Sequence, residues 1–137
     1  MNKKKVIFIC TGNTCRSQIA EGLLRKMSEG LFDVYSAGSN PSRLHPASVK
    51  VMNEIGIDIS HHVSESIDKY INAGIDIAIT VCDNAQKVCP TFPGNVNQIH
   101  WSIEDPYHGW SANEEDLPPY RETREELIKR IKLFLKK

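Results

Sequence analysis

The sequence predicts an α/β fold: one domain over residues 1–137, built on a four-stranded open parallel sheet with helices on both faces. Two observations predict it. Short apolar runs alternate along the chain with segments of helical periodicity, the pattern of successive βαβ units. The first run, Val6-Ile7-Phe8-Ile9, is apolar throughout instead of alternating, as a strand buried on both faces must be. The length also suits a single core, since a chain of this size buries roughly two-thirds of its extended surface without staples.

Each element has its own signal. After the first strand, Cys10-Thr11-Gly12-Asn13-Thr14-Cys15-Arg16-Ser17 is a polar, turn-rich loop. Ile19, Ala20, Leu23, Leu24 and Met27 then recur at helical spacing, with Gly30 as the stop. Val34-Tyr35-Ser36 is a second strand, ended by Gly38. A helix begins near Pro46, whose ring suits the first helical turn. Its apolar face is Ala47, Val51, Met52 and Ile55, and Gly56 closes it. Residues 64–71 read as a further short helix. Residues 75–81 form a third strand that runs into Cys82 just as the first runs into Cys10. Between Cys82 and Cys89, Asp83 and Asn84 suit an N-cap and predict another short helix. Residues 98–101 are the fourth strand, and residues 119–136 the last helix, with Leu127, Ile128, Ile131, Phe134 and Leu135 inward.

Composition narrows the function. Lys+Arg and Asp+Glu both number 17, and 40% of residues are apolar against 25% charged, which describes an ordinary soluble chain and argues against a nucleic-acid binder. The apolar run after the basic start is too short for a signal peptide or a membrane span, so no membrane association and a cytoplasmic location are expected. Four cysteines in a reducing compartment are unsuited to structural staples. Their spacings are not those of zinc sites either. Thiol chemistry is the first use they suggest, with core packing as the alternative.

Open parallel sheets bind ligands at the carboxyl ends of their strands. Cys10, Cys82 and Asp105 all fall there. Cys10 to Arg16 is a C-x5-R segment followed by Ser17. Gly12 and Asn13 can take positive φ and curl the backbone so that its N–H groups face inward. Such a concavity binds anions, and the following helix adds the positive end of its dipole. Residues 11–17 (Thr11, Gly12, Asn13, Thr14, Cys15, Arg16, Ser17) are therefore the expected oxyanion-binding set, with Arg16 as a planar fork for two oxygens. The same field favours a thiolate at Cys10, the expected nucleophile. Alone, Cys10 would read as a small buried hydrophobe. The strand before it, Arg16 after it and the helix beyond favour catalysis. Cys15 reads as packing at the helix start, and His62 as a polar packing residue.

CTGNTCRS resembles the C-x-G-N-x-C-R-S loop of low-molecular-weight protein tyrosine phosphatases, and Asp105-Pro106-Tyr107 resembles their late general-acid element. Over nearly its whole length the chain more closely resembles the thioredoxin-coupled arsenate reductases of that superfamily. The residues carrying this are 10–22, Tyr35-Ser36-Ala37-Gly38, Gly56-Ile57-Asp58-Ile59-Ser60, Cys82, Cys89-Pro90, His100-Trp101 and Asp105-Pro106. Gln18 stands where the phosphatases usually have Pro. The resemblance implies a low-molecular-weight phosphatase-like fold and reduction of arsenate to arsenite. Cys10, Arg16 and Asp105 would act on the oxyanion, and Cys82 and Cys89 would relay a disulfide to thioredoxin. No cofactor is required, and a monomer is expected. It also implies a potassium ion near Asn13, Glu21 and Ser36, with Glu65 where relatives carry Asp. The aromatic stretch Asp105-Pro106-Tyr107-His108-Gly109-Trp110 is reminiscent of the phosphatase branch. Hydrolysis of aryl phosphates through a phosphocysteine is thus the alternative activity, and a non-catalytic oxyanion or redox sensor a third reading.

Overall fold

The computed structural model describes residues 3–83 and 91–136. In chain order its elements are β1 (Lys4–Cys10), α1 (Arg16–Met27), β2 (Phe32–Gly38), α2 (Pro46–Asn53), β3 (Ile77–Val81), β4 (Asn97–Trp101) and α3 (Pro118–Leu135). Two 3-10 turns, Ile67–Tyr70 and Glu114–Asp116, complete them. The strand order is β2-β1-β3-β4, and every pair is parallel. Cys89, Pro90 and the short helix expected after Cys82 lie outside the described residues.

The apolar first strand divides its side chains between two cores. Val6 and Phe8 face a cluster with Leu23 and Leu24 of α1, Val51 of α2, and Leu127 and Ile131 of α3. Ile7 and Ile9 face a smaller one with Ala37, Ala78, Ile67, Tyr70 and Phe92. Among the described residues helical structure covers both faces unequally: three α-helices on one, a 3-10 turn on the other. The inward set expected of the last helix holds. Leu127 and Ile131 are fully buried, and Ile128, Phe134 and Leu135 pack against them. Burying five or six such side chains contributes on the order of 10 kcal/mol before entropy is counted.

Three local expectations change. The helix over residues 64–71 shrinks to the 3-10 turn Ile67–Tyr70. Its upstream residues are held elsewhere: the Glu65 carbonyl accepts from the Gly38 N–H at 2.9 Å, and the Glu65 N–H donates to Asn13 Oδ1 at 2.9 Å. A backbone tied at both groups cannot also close helical hydrogen bonds. β3 starts at Ile77, two residues late, because the Asp76 carboxylate accepts the Lys5 N–H at 2.8 Å, a donor that a strand carbonyl would otherwise take. Ile55 is 39% exposed, not on the apolar face. α2 has already ended in a Gly56 motif at φ +79°, with Ile57 N–H donating to the Met52 carbonyl and Gly56 N–H to Asn53.

Candidate functional site

β1 ends at Cys10 and α1 begins at Arg16, so the C-x5-R segment is a bare loop between them. Of the two residues expected to take positive φ, Asn13 does so, at φ 51°, and Gly12 does not: the single left-handed residue makes the curl. The loop's carbonyls all point outward, each to a donor. Thr11 accepts from Asn40 N–H at 2.9 Å, Gly12 from Ser42 N–H at 3.0 Å, Thr14 from His45 N–H at 3.2 Å and Cys15 from Ile19 N–H at 2.9 Å. The Asn13 carbonyl accepts from the Ser64 hydroxyl at 2.7 Å and the Gln18 amide at 3.1 Å. In a trans peptide the next N–H points opposite the carbonyl. The N–H groups of residues 12–16 therefore face inward, and among the described residues none donates to a protein acceptor. Cys15 offers no side-chain cap to α1, so the first N–H groups of the helix add to the same concavity.

Cys10 is buried at the floor of this concavity, its Sγ 2.9 Å from the Ser17 hydroxyl. The Asn13 amide donates to Ser17 Oγ at 2.8 Å and to Ser36 Oγ at 3.0 Å. Ser17 is thereby left free to direct its own proton toward Cys10. Arg16 is held below the surface by donation to the Ile103 carbonyl at 3.0 Å. Its second nitrogen lies 3.6 Å from Asp105 Oδ2. Asp105 accepts the Tyr107 N–H at 3.0 Å, and Pro106 restricts it to extended backbone. Cys10, Thr11, Gly12, Thr14, Cys15, Arg16, Asp105, Tyr107 and Trp110 together line a cavity of about 420 Å³. Cys15 is a poor nucleophile here, because burial pushes its thiol up to about 12.

β1 and β3 pair with Ile9 opposite Thr80, which sets Cys82 one residue beyond the level of Cys10 on the adjacent strand. Cys82 is fully buried and disulfide-bonded, whereas Cys10 and Cys15 are free thiols.

The residues expected around potassium come together only in part. Ser36 donates to Glu21 Oε1 at 2.6 Å, and Arg25 pairs with Glu21 Oε2 at 2.6 Å. The Glu65 carboxylate turns away: it pairs with Lys69 and accepts the Tyr70 hydroxyl at 2.5 Å. Only the backbone N–H of Glu65 reaches Asn13, and an N–H cannot ligate a cation. Asn13, Glu21, Ser36 and Glu65 thus do not fit a potassium cage, because Lys69, one helical turn on, already neutralises the fourth ligand. Among the described residues no group of three or more His, Cys, Asp or Glu is arranged to hold a metal.

Residues 5–137 match the family described as low molecular weight phosphotyrosine protein phosphatase. The chain belongs to that family. A curated relative from Halalkalibacterium halodurans named arsenate reductase is 45% identical over 134 residues, which cover 98% of this chain and 96% of the relative. A solved structure described as an arsenate reductase in the phosphate binding state is 32% identical with a TM-score of 0.79, covering 96% of this chain and 95% of the other. A thioredoxin-dependent arsenate reductase from Corynebacterium glutamicum is 30% identical with a TM-score of 0.74, covering 98% of this chain and 61% of that one.

Two features of the site escaped the sequence. Gly38 was legible only as a strand end. A Cβ there would lie 2.4 Å from the Thr11 carbonyl oxygen and 3.0 Å from the Asn13 nitrogen. His45 gave no signal beyond preceding Pro46; a proline at the first helical position marks the residue before it as the cap, and that clue would have singled it out.

Proposed function

We propose that this protein reduces arsenate to arsenite with Cys10 as nucleophile, and that Cys82, Cys89 and thioredoxin restore the thiolate. One observation carries the reading: a buried thiol under an inward-facing ring of N–H groups, with a second cysteine on the neighbouring strand just past its level. The loop alone would serve a phosphatase equally well. The relatives named arsenate reductase, one of them thioredoxin-dependent and another solved with phosphate bound, support the choice. One domain suffices for the whole sequence of steps.

The Cys10 thiolate attacks arsenic of monohydrogen arsenate while Arg16 and the loop N–H groups hold its oxygens. Asp105 gives a proton to the departing hydroxyl, which leaves as water. The Cys82 thiolate then attacks Cys10 Sγ. The S–As bonding pair stays with arsenic, so As(V) becomes As(III) and two thiols become one disulfide, a two-electron exchange. Cys89 attacks Cys82 in turn and frees Cys10, and a dithiol protein reduces the resulting Cys82–Cys89 bridge. Tyr107 and Trp110 in the cavity wall favour a side activity on aryl phosphates, with hydrolysis of a phosphocysteine replacing the thiol steps.

The test is arsenate-dependent NADPH consumption with thioredoxin and thioredoxin reductase, beside hydrolysis of p-nitrophenyl phosphate. Cys82→Ser is expected to abolish the first and spare the second. Equal loss of both in a folded variant would make Cys82 structural and overturn the relay.

A further inference from the structure

His45 is completely buried, yet it bonds to four separate parts of the chain. Its backbone N–H donates to the Thr14 carbonyl of the oxyanion loop at 3.2 Å. Its ring Nδ1 accepts the Ala47 N–H at 2.9 Å and so caps α2. Its ring Nε2 lies 2.7 Å from the Gly109 carbonyl and 3.1 Å from the Tyr120 hydroxyl on α3. A backbone N–H can only donate and a carbonyl can only accept. The two contacts therefore assign the tautomer: Nδ1 bare, Nε2 protonated, ring neutral. Burial, the largest influence, lowers the His45 pKa, with Arg43 and His108 acting in the same direction. The Gly109 bond and Asp116 oppose them.

The ring is also clamped between aromatics. Trp110 stacks on it with centroids 4.9 Å apart and planes 11° apart, and the Arg43 guanidinium sits 4.0 Å above the Trp110 ring. Tyr107 meets it edge-on at 5.9 Å. Tyr107, Gly109 and Trp110 belong to the stretch that begins with Asp105-Pro106. At its near end Asp105 is anchored by a long contact to Arg16 and by its own turn onto Tyr107. The far end is anchored through His45, and the same residue holds Thr14.

We propose that His45 is a positioning residue that ties the Asp105–Trp110 segment to the oxyanion loop, so that the Asp105 carboxyl stays within reach of the departing oxygen. This role rests on Asp105 being the proton donor. A ring bound to both partners fixes their separation, and catalysis loses up to about a hundredfold for a misplacement of 1 Å.

The informative variant is His45→Asn. Asn remains a good N-cap for α2 and keeps the backbone bond to Thr14, but its shorter side chain cannot reach Gly109. Phosphate affinity, measured by calorimetry, is expected to stay within about twofold, because the loop is retained. Single-turnover arsenite formation is expected to fall roughly tenfold. In an Asp105→Asn background the same change is expected to add nothing, since residues acting through one group are not additive. Equal losses in both backgrounds, weakened phosphate binding at an unchanged rate, or no loss at all would overturn the role. An Asp105→Asn protein as fast as its parent would instead overturn the proton-donor reading by itself, and the role of His45 with it. Should His45→Asn fail to fold, the parent protein decides: a long-range 1H–15N spectrum is expected to show the His45 ring protonated at Nε2, and a ring protonated at Nδ1 would overturn the assignment.

Discussion

Replacing Gly38 with alanine tests whether the oxyanion loop is held in shape by its neighbour strand. Gly38 is the last residue of β2 and stands opposite Cys10 in the register. Its added Cβ would sit 2.4 Å from the Thr11 carbonyl oxygen, about 1 Å inside the 3.4 Å of ordinary contact. The obstructing atoms are backbone, so no rotamer can relieve the overlap. Gly38 cannot retreat easily either, because its N–H is bonded to the Glu65 carbonyl. The loop must therefore yield by most of that distance, carrying the Gly12 N–H with it. A displacement near 1 Å costs on the order of a hundredfold in turnover, and overpacking costs about 1–3 kcal/mol of stability. Gly38→Ala is thus expected to lower kcat/KM for arsenate about a hundredfold and to weaken phosphate binding, while the protein stays folded by far-ultraviolet circular dichroism. The coupled NADPH assay and calorimetry with phosphate measure these. Activity within twofold of the parent would mean that the loop tolerates the intrusion, and the close approach would not be what shapes it.

Three further outcomes follow from the site and its surroundings. Arg16→Ala removes a guanidinium fork, worth roughly 1.5–3 kcal/mol per bond to a charged acceptor, so phosphate affinity by calorimetry should fall at least about a hundredfold; a change under threefold would place the anion elsewhere. Cys15, with its thiol pushed up to about 12 by burial, remains protonated at pH 8, so brief iodoacetamide treatment of the reduced protein should leave it unmodified by mass spectrometry. The Glu54 carboxyl is held down to about 2, first by Arg121 and then by Arg124. A depressed carboxyl pKa stabilises above the ordinary value near 4.3, and the contribution is lost as pH falls from there toward 2. Glu54→Gln should therefore lower the thermal midpoint at pH 7, by the equivalent of at most about 1 kcal/mol for so exposed a group, and the difference should vanish near pH 2.

The strand and helix identities were legible because they depend on neighbours a few residues away. Val6 to Ile9 is apolar at every position because both faces of β1 are covered. Gly56 ends α2 through its own bond to Asn53 and that of Ile57 to Met52, all within about a turn. The C-x5-R motif was legible for the same reason, since Cys10, Asn13, Arg16 and Ser17 lie within one continuous curl. Residues 64–71 misled because their helical character was real but Gly38 and Asn13 took the backbone groups that a helix would have used.

The four strands, three of the helices, the C-x5-R motif with its candidate nucleophile, and the further thiols could be read from the residues alone. The folded chain alone reveals which groups turn the loop's carbonyls outward, that the Glu65 carboxylate is taken by Lys69 and Tyr70, and that His45 binds both the C-x5-R loop and the segment of Asp105. The physical reason is range. Periodicity and capping are local and leave a pattern within a few residues, whereas the bond from Arg16 to Ile103 spans 87 residues. The strand order β2-β1-β3-β4 brings such partners together, and a hydrogen bond leaves no periodic trace at either end of the chain that makes it.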